Sequence, residues 1–218
     1  MKTFIIGIAG GVGSLLAREL IARGDDVSGL VRRPEQQEAL GGTGVRGELG
    51  DLTEISAAEL AKLIGPADAL VFSAGAGGTG KEATTAIDGD GVVKAIEAAR
   101  FAGVTRFALV SVFPEAWRER NLGEQFDHYI AVKKSADIAL TQSGLDWIIL
   151  RPAVLLNRPG QGTVALGPAQ RHEEISRADV AATLAELLHE PRITGQILEL
   201  TAGDTPIPDA VRANVRDR

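Results

Sequence analysis

Short apolar runs alternate with helix-period segments along most of the chain. Residues 3–9, TFIIGIA, are an apolar run interrupted by one glycine, the pattern of a strand buried on both faces. Leu15, Leu16, Leu20 and Ile21 then recur at helical spacing, and Gly24 stops that helix. Residues 25–33 (DDVSGLVRR) predict a second strand, and 43–51 (TGVRGELGD) a weaker third whose glycines lower strand propensity. A helix over 57–65 ends at Gly65-Pro66, a fourth strand follows over 68–75, and a helix over 90–103 ends at Gly103. Residues 106–112 predict a fifth strand, 125–144 a long helix, 146–153 a sixth strand, 176–190 a helix opened by Ser176, and 195–203 a late strand.

Near-continuous hydrophobic strands separated by helices are βαβ units. Such strands run parallel, with helices covering both faces of the sheet. Right-handed crossovers then build a three-layer, doubly wound, mostly parallel α/β sheet of the Rossmann type. No repeat, low-complexity block or linker divides the chain. Residues 1–218 therefore read as one domain, with roughly 152–218 supplying a small substrate-side rim.

The 218 residues suffice for one good-sized core, and 44% apolar with 24% charged residues is ordinary for a globular domain. The net charge of −6 gives no basic field, so a nucleic-acid partner is not expected. Cysteine is absent, which removes disulfides, thiolate metal sites and a cysteine nucleophile, and fits a reducing, cytoplasmic compartment. No run of about 18 apolar residues predicts a membrane span, and the N-terminus lacks a signal-peptide pattern. His128, His172 and His189 lie far apart, so no catalytic metal is expected. The expected partner is a small molecule, and a homo-oligomer is compatible with the sequence.

Ligands of open α/β sheets sit beyond the carboxyl ends of the strands. The loop after the first strand reads Gly7-Ile8-Ala9-Gly10-Gly11-Val12-Gly13. This GxxGxxG spacing between strand and helix permits a tight turn, close backbone approach to a pyrophosphate, and close helix–strand packing. The helix N-terminus adds free N–H groups and partial positive charge. Arg32 and Arg33 lie about 20 residues beyond Gly13, where a carboxylate would hold the ribose 2′-hydroxyl of NAD and an arginine the 2′-phosphate of NADP. NADP(H) is therefore favoured over NAD(H). Asp51 and Leu52, in GDL after the third strand, are read near the adenine, with Asp51 equally readable as a helix N-cap. Ser73, Ala74 and Gly75 follow the fourth strand, where glycine permits backbone approach to ribose and phosphate.

Tyr129, the single tyrosine, and Lys133 stand four residues apart and share a helix face. A nearby ammonium stabilises a phenolate and lowers the tyrosine's pKa towards the working range. Ser111 ends the fifth strand beside them. Phe113, Trp117 and Phe126 read first as loop anchors and alternatively as an aromatic lid. Arg158 or Arg171 can meet an anion at the rim. His128 and His172 read as surface residues. Ser176 caps the late helix and Asp179 sits in its first turn.

Together, GxxGxxG, VRRP, GDL, SAGAG, RFALVSV, Tyr129-x-x-x-Lys133, LRPA, ISRADVA and TAGDTPI resemble the short-chain dehydrogenase/reductase superfamily. The order is similar to its atypical branch of small NAD(P)-binding proteins, the NmrA-like and flavin/biliverdin reductase types. That resemblance implies Tyr129 as general acid, Lys133 holding the nicotinamide ribose, and Ser111 orienting a substrate carbonyl or contacting the nicotinamide. It also implies Pro152, Ala153 and Val154 bordering the nicotinamide. Ala9 and Val112 stand where many members carry hydroxyl residues.

The leading expectation is an NADP(H)-dependent oxidoreductase passing hydride to a small carbonyl, quinone or flavin-like acceptor. The alternatives are a non-catalytic NADP(H)-binding redox sensor, and an epimerase or dehydratase using a transient hydride.

Overall fold

The computed structural model describes residues 1–117 and 119–216. In chain order the elements are β1 (Lys2–Ile6), α1 (Gly13–Ala22), β2 (Asp26–Val31), α2 (Pro34–Gly41), β3 (Arg46–Leu49), α3 (Ala57–Ile64) and β4 (Ala69–Phe72). A continuous helical stretch follows: α4 (Lys81–Thr84), a wider π-type turn (Thr85–Asp90) and α5 (Gly91–Ala102). Then come β5 (Arg106–Val110), α6 (Glu124–Thr141), β6 (Asp146–Pro152), β7 (Val154–Leu156), β8 (Thr163–Gly167), β9 (Glu174–Ser176), α7 (Arg177–His189), β10 (Gln196–Ala202), β11 (Thr205–Pro206) and α8 (Ile207–Arg212).

Side-chain alternation along the strands builds the three layers. Ile5 of β1 and Val71 of β4 pack with Leu16 and Leu20 of α1 and Leu184 and Leu188 of α7. Their neighbours Phe4, Ile6, Leu70 and Phe72 turn to the opposite face, against Leu60 of α3, Val92 and Ile96 of α5 and Leu140 of α6. The main sheet runs β3-β2-β1-β4-β5-β6-β10-β8-β11. Its pairings are parallel except those of β8 with β10 and β11. The doubly wound, mostly parallel Rossmann architecture is thus present.

Several elements depart from the sequence pattern. α2 carries no buried residue, so no apolar period marks it; Pro34 opens it. Helix begins at Lys81 rather than Asp90, because two threonines, Gly89 and two aspartates are poor helix formers and conceal the first turns. The C-terminal part holds the short pair β7–β9, the strands β8 and β11, and α8, all too short to show a period.

Two devices hold α7 in place. At its start, Ser176 Oγ accepts the N–H of Asp179 at 2.9 Å, and the Asp179 carboxylate accepts the N–H groups of Gln161 and Gly162. At its end, buried Arg106 donates to Asp146 at 2.8 Å and to the Leu187 and Glu190 carbonyls. Among the described residues, no helix is long and apolar enough to cross a membrane.

Candidate active site

The chain winds from β1 towards β3 on one side and from β4 towards β6 on the other. β1 and β4 are adjacent, with Ile6 opposite Phe72, so the two windings separate just beyond their carboxyl ends and leave a crevice. A cleft of about 1040 Å³ opens there.

Its floor is the glycine turn. Gly7, Gly10, Gly11 and Val12 line the cleft. Gly7 has φ +94°, and a Cβ on it would lie 2.5 Å from the Ala74 nitrogen, so only glycine lets the loops after β1 and β4 meet. Gly13 does not face the cleft; a Cβ there would overlap the Gly7 carbonyl oxygen, which makes it the packing glycine of the turn. Val12, the N-cap of α1, makes no side-chain capping bond, leaving amides at the helix start for a ligand.

Arg32 lines one end of the cleft, and Arg33 does not. The backbone N–H groups of both donate to Gln36 Oε1, at 3.1 and 3.2 Å, which turns the chain from β2 into α2 and leaves Arg33 outside. Asp51 and Leu52 border the same end. Asp51 is not a helix cap: Ser56 caps α3, while Asp51 accepts the Thr53 hydroxyl at 2.7 Å and the Thr53 N–H at 2.9 Å. The Thr53 hydroxyl bond holds its pKa below the usual carboxylate value against the opposing effect of burial, with help from the Arg32 charge. Ser73, Ala74 and Gly75 line the middle.

Ser111, Tyr129 and Lys133 line the other end, with Pro152, Ala153 and Val154 beside them. Lys133 is buried; its ammonium donates to the Val110 carbonyl at 3.0 Å and stands 3.7 Å from Asp88 Oδ1. The Asp88 carboxylate also accepts the Ala76 N–H at 2.9 Å. Burial pulls the Lys133 pKa down, opposed by the charges of Asp88 and Asp137. The Tyr129 pKa is raised, first by burial and then by the Asp88 charge. This corrects the expected lowering by Lys133: the lysine's charge is matched by Asp88, and the phenol lies in a poorly solvated wall. The Ser111 hydroxyl is buried with no hydrogen-bond partner among the described residues.

An aromatic wall faces this end. The Trp117 and His172 rings lie 4.8 Å apart edge-on, Phe113 and His172 5.0 Å, and Trp117 and Phe126 6.2 Å. Phe113, Trp117 and Phe126 all line the cleft, as does His172, which therefore belongs to the site's wall rather than the open surface. His128 instead bonds Thr85 Oγ1 at 2.8 Å, away from the cleft. Arg158 and Arg171 do not border the cleft; Arg158 stands 3.9 Å from Glu174. Arg177, from the C-terminal part, also lines the cleft; the sequence patterns single out neither it nor Asp88.

Residues 7–191 match the model of a family described as NAD(P)H-binding. The chain belongs to that NAD(P)H-binding family. An uncharacterized sugar epimerase of Bacillus subtilis, YhfK, is 39% identical over 97% of this chain and 99% of its own. A Bacillus halodurans structure, assigned by name to the NAD-dependent epimerases/dehydratases, superposes with TM-score 0.89 at 32% identity, covering 98% of this chain and 99% of the other. ChuY of Escherichia coli O157:H7, an anaerobillin reductase, superposes with TM-score 0.79 at 27% identity, covering 94% and 98%. The family's oxidoreductase-like fold agrees with the resemblance to the atypical short-chain dehydrogenases/reductases. The residues here fit a nicotinamide dinucleotide: the cleft has a glycine cradle at one place and, at another, a buried serine hydroxyl lacking a partner.

Proposed function

We propose that the chain is an NADP(H)-dependent reductase of a flat, conjugated small-molecule acceptor of the quinone, carbonyl or flavin type. One observation carries this reading: a single cleft runs from the glycine turn and Arg32 to Tyr129, Ser111 and the aromatic wall.

When bound, the reduced nicotinamide supplies hydride. The chain's own groups hold the dinucleotide and manage the proton. The Gly10 N–H closes the turn on the Gly7 carbonyl at 2.9 Å, and the amides of Gly11 and Val12 at the α1 N-terminus receive the diphosphate. Arg32 meets the 2′-phosphate through forked, charge-assisted bonds. Asp51 and Leu52 border the adenine, and Ser73, Ala74 and Gly75 the ribose and phosphates between. Lys133, its charge matched by Asp88, secures the nicotinamide end, and Pro152, Ala153 and Val154 flank it. Ser111 donates its free hydroxyl to an oxygen of the acceptor or of the nicotinamide amide. Two-electron reduction of a carbonyl also needs one proton, which the neutral Tyr129 phenol holds. Because that phenol is a weaker acid than usual, it yields its proton only to a strongly basic oxygen. A conjugated acceptor spreads the incoming charge and makes less demand on it. Phe113, Trp117 and Phe126 offer ring faces to such an acceptor and exclude water.

ChuY, named as a reductase, supports redox turnover. The epimerase names of the Bacillus proteins support the second reading, in which hydride leaves and returns within one catalytic cycle. Stopped consumption assays separate the two. The proposed reductase oxidises NADPH stoichiometrically when menadione or FMN is added anaerobically. Binding of NADPH with no net oxidation by any carbonyl, quinone or flavin would remove the reductase reading and leave the epimerase or a non-catalytic sensor.

A further inference from the structure

Arg177 is the first residue of α7, where the helix dipole is positive and a cation is disfavoured. Its side chain nevertheless turns onto the glycine turn. A Cβ on Gly11 would lie 2.9 Å from Arg177 Cδ and 3.1 Å from Nε, so Gly11 leaves room for this arginine as well as for a ligand. Arg177 Nη1 donates to the Leu155 carbonyl at 3.1 Å and to Asn157 Oδ1 at 2.9 Å. Both partners are neutral, and no carboxylate pairs with Arg177 among the described residues. The guanidinium is thus an aimed, uncompensated positive charge lining the cleft beside the α1 amides.

We infer that Arg177 is a diphosphate-binding residue that closes the cofactor cleft from the C-terminal part of the chain. This rests on the proposed dinucleotide site and adds a second cation to it, distinct in role from Arg32. The two arginines divide the ligand: Arg32 reads the 2′-phosphate and Arg177 the diphosphate. The amides of the turn approach the diphosphate from below, and Arg177 from the side of α7. A guanidinium suits this role because its donors are fixed in a plane and its charge does not titrate.

Binding of three probes to the full chain, measured by calorimetry, tests the division. ADP-ribose carries the diphosphate without a 2′-phosphate, adenosine 2′-monophosphate carries the reverse, and NADPH carries both. Arg177→Gln is expected to weaken ADP-ribose and NADPH by roughly 10- to 100-fold and to leave adenosine 2′-monophosphate unchanged. Arg32→Gln is expected to weaken adenosine 2′-monophosphate and NADPH and to leave ADP-ribose unchanged. Unaltered ADP-ribose affinity in Arg177→Gln overturns the inference. Should that variant fail to fold, Arg177→Lys decides: a several-fold loss for ADP-ribose with none for adenosine 2′-monophosphate supports it, and no loss or equal losses overturn it. Wild-type chain that binds none of the three probes would instead sink the dinucleotide site itself.

Discussion

The carboxylate of Asp88 stands 3.7 Å from the ammonium of Lys133, each side chain 3% exposed, and both line the cleft. Asp88 reaches that position from the wider turn between α4 and α5, a distortion of a kind found often at functional sites. A buried ion pair contributes little net stability while intact, but removing one partner leaves an uncompensated charge. Asp88→Asn keeps an acceptor for the Ala76 N–H and removes the charge. It is expected to cost about 3 kcal/mol in urea unfolding. Unchanged stability would show that Lys133 is not held by Asp88.

Tyr129 is the chain's single tyrosine, so phenolate absorbance reports it alone. Its folded pKa is raised by burial and by Asp88 above the ordinary value near 10. The folded chain therefore keeps the proton longer than the unfolded chain. The stability linked to this group is complete below about pH 10 and is lost as pH rises through the folded value. Spectrophotometric titration should show no phenolate in the native chain at about pH 10, where the urea-unfolded chain is half ionised. In Asp88→Asn the native midpoint should move down. A native midpoint below 10 would restore the activated phenol expected from Lys133.

Replacing Tyr129 by phenylalanine separates acceptor classes. Carbonyl reduction should fall on the order of 100-fold in kcat, the usual worth of a positioned proton donor, while flavin or quinone reduction should change only a few-fold. Equal loss for all acceptors, measured as initial rates of NADPH oxidation, would assign Tyr129 to binding rather than proton supply.

Trp117 packs on His172 and Phe126 in the aromatic wall of the cleft, where the acceptor is proposed to sit. Trp117→Ala should raise KM for the acceptor on the order of 10-fold, the worth of one lost stacking face, and leave NADPH affinity within two-fold. Parallel loss of NADPH binding would place the tryptophan at the dinucleotide instead.

The sheet, the glycine turn and most of the cofactor end were legible because each carries a local signal. Apolar runs mark β1, β4 and β5; the glycine spacing marks the turn; and Arg32 follows β2 at a set distance. Asp88 was hidden because TTAIDGDG lacks helix propensity, so nothing in sequence places its carboxylate beside a lysine on another helix. Arg177 carries one signal in sequence, a cation at the positive end of a helix, beside the capping residues Ser176 and Asp179. Arg158 and Arg171 lie on the segment read as a rim, and no sequence pattern fixes which way its side chains turn. The direction of the Tyr129 shift depends on burial and on Asp88, both tertiary facts.

Equilibrium titration with NADPH, followed by energy transfer from tryptophan to the reduced nicotinamide, reads occupancy of the proposed dinucleotide site itself, since Trp117 lies in the cleft. Saturation is expected at one equivalent with Kd on the order of micromolar, with competition by ADP-ribose and weaker binding of NADH. Absence of saturable binding by either dinucleotide up to about 1 mM would contradict a dinucleotide site in this cleft.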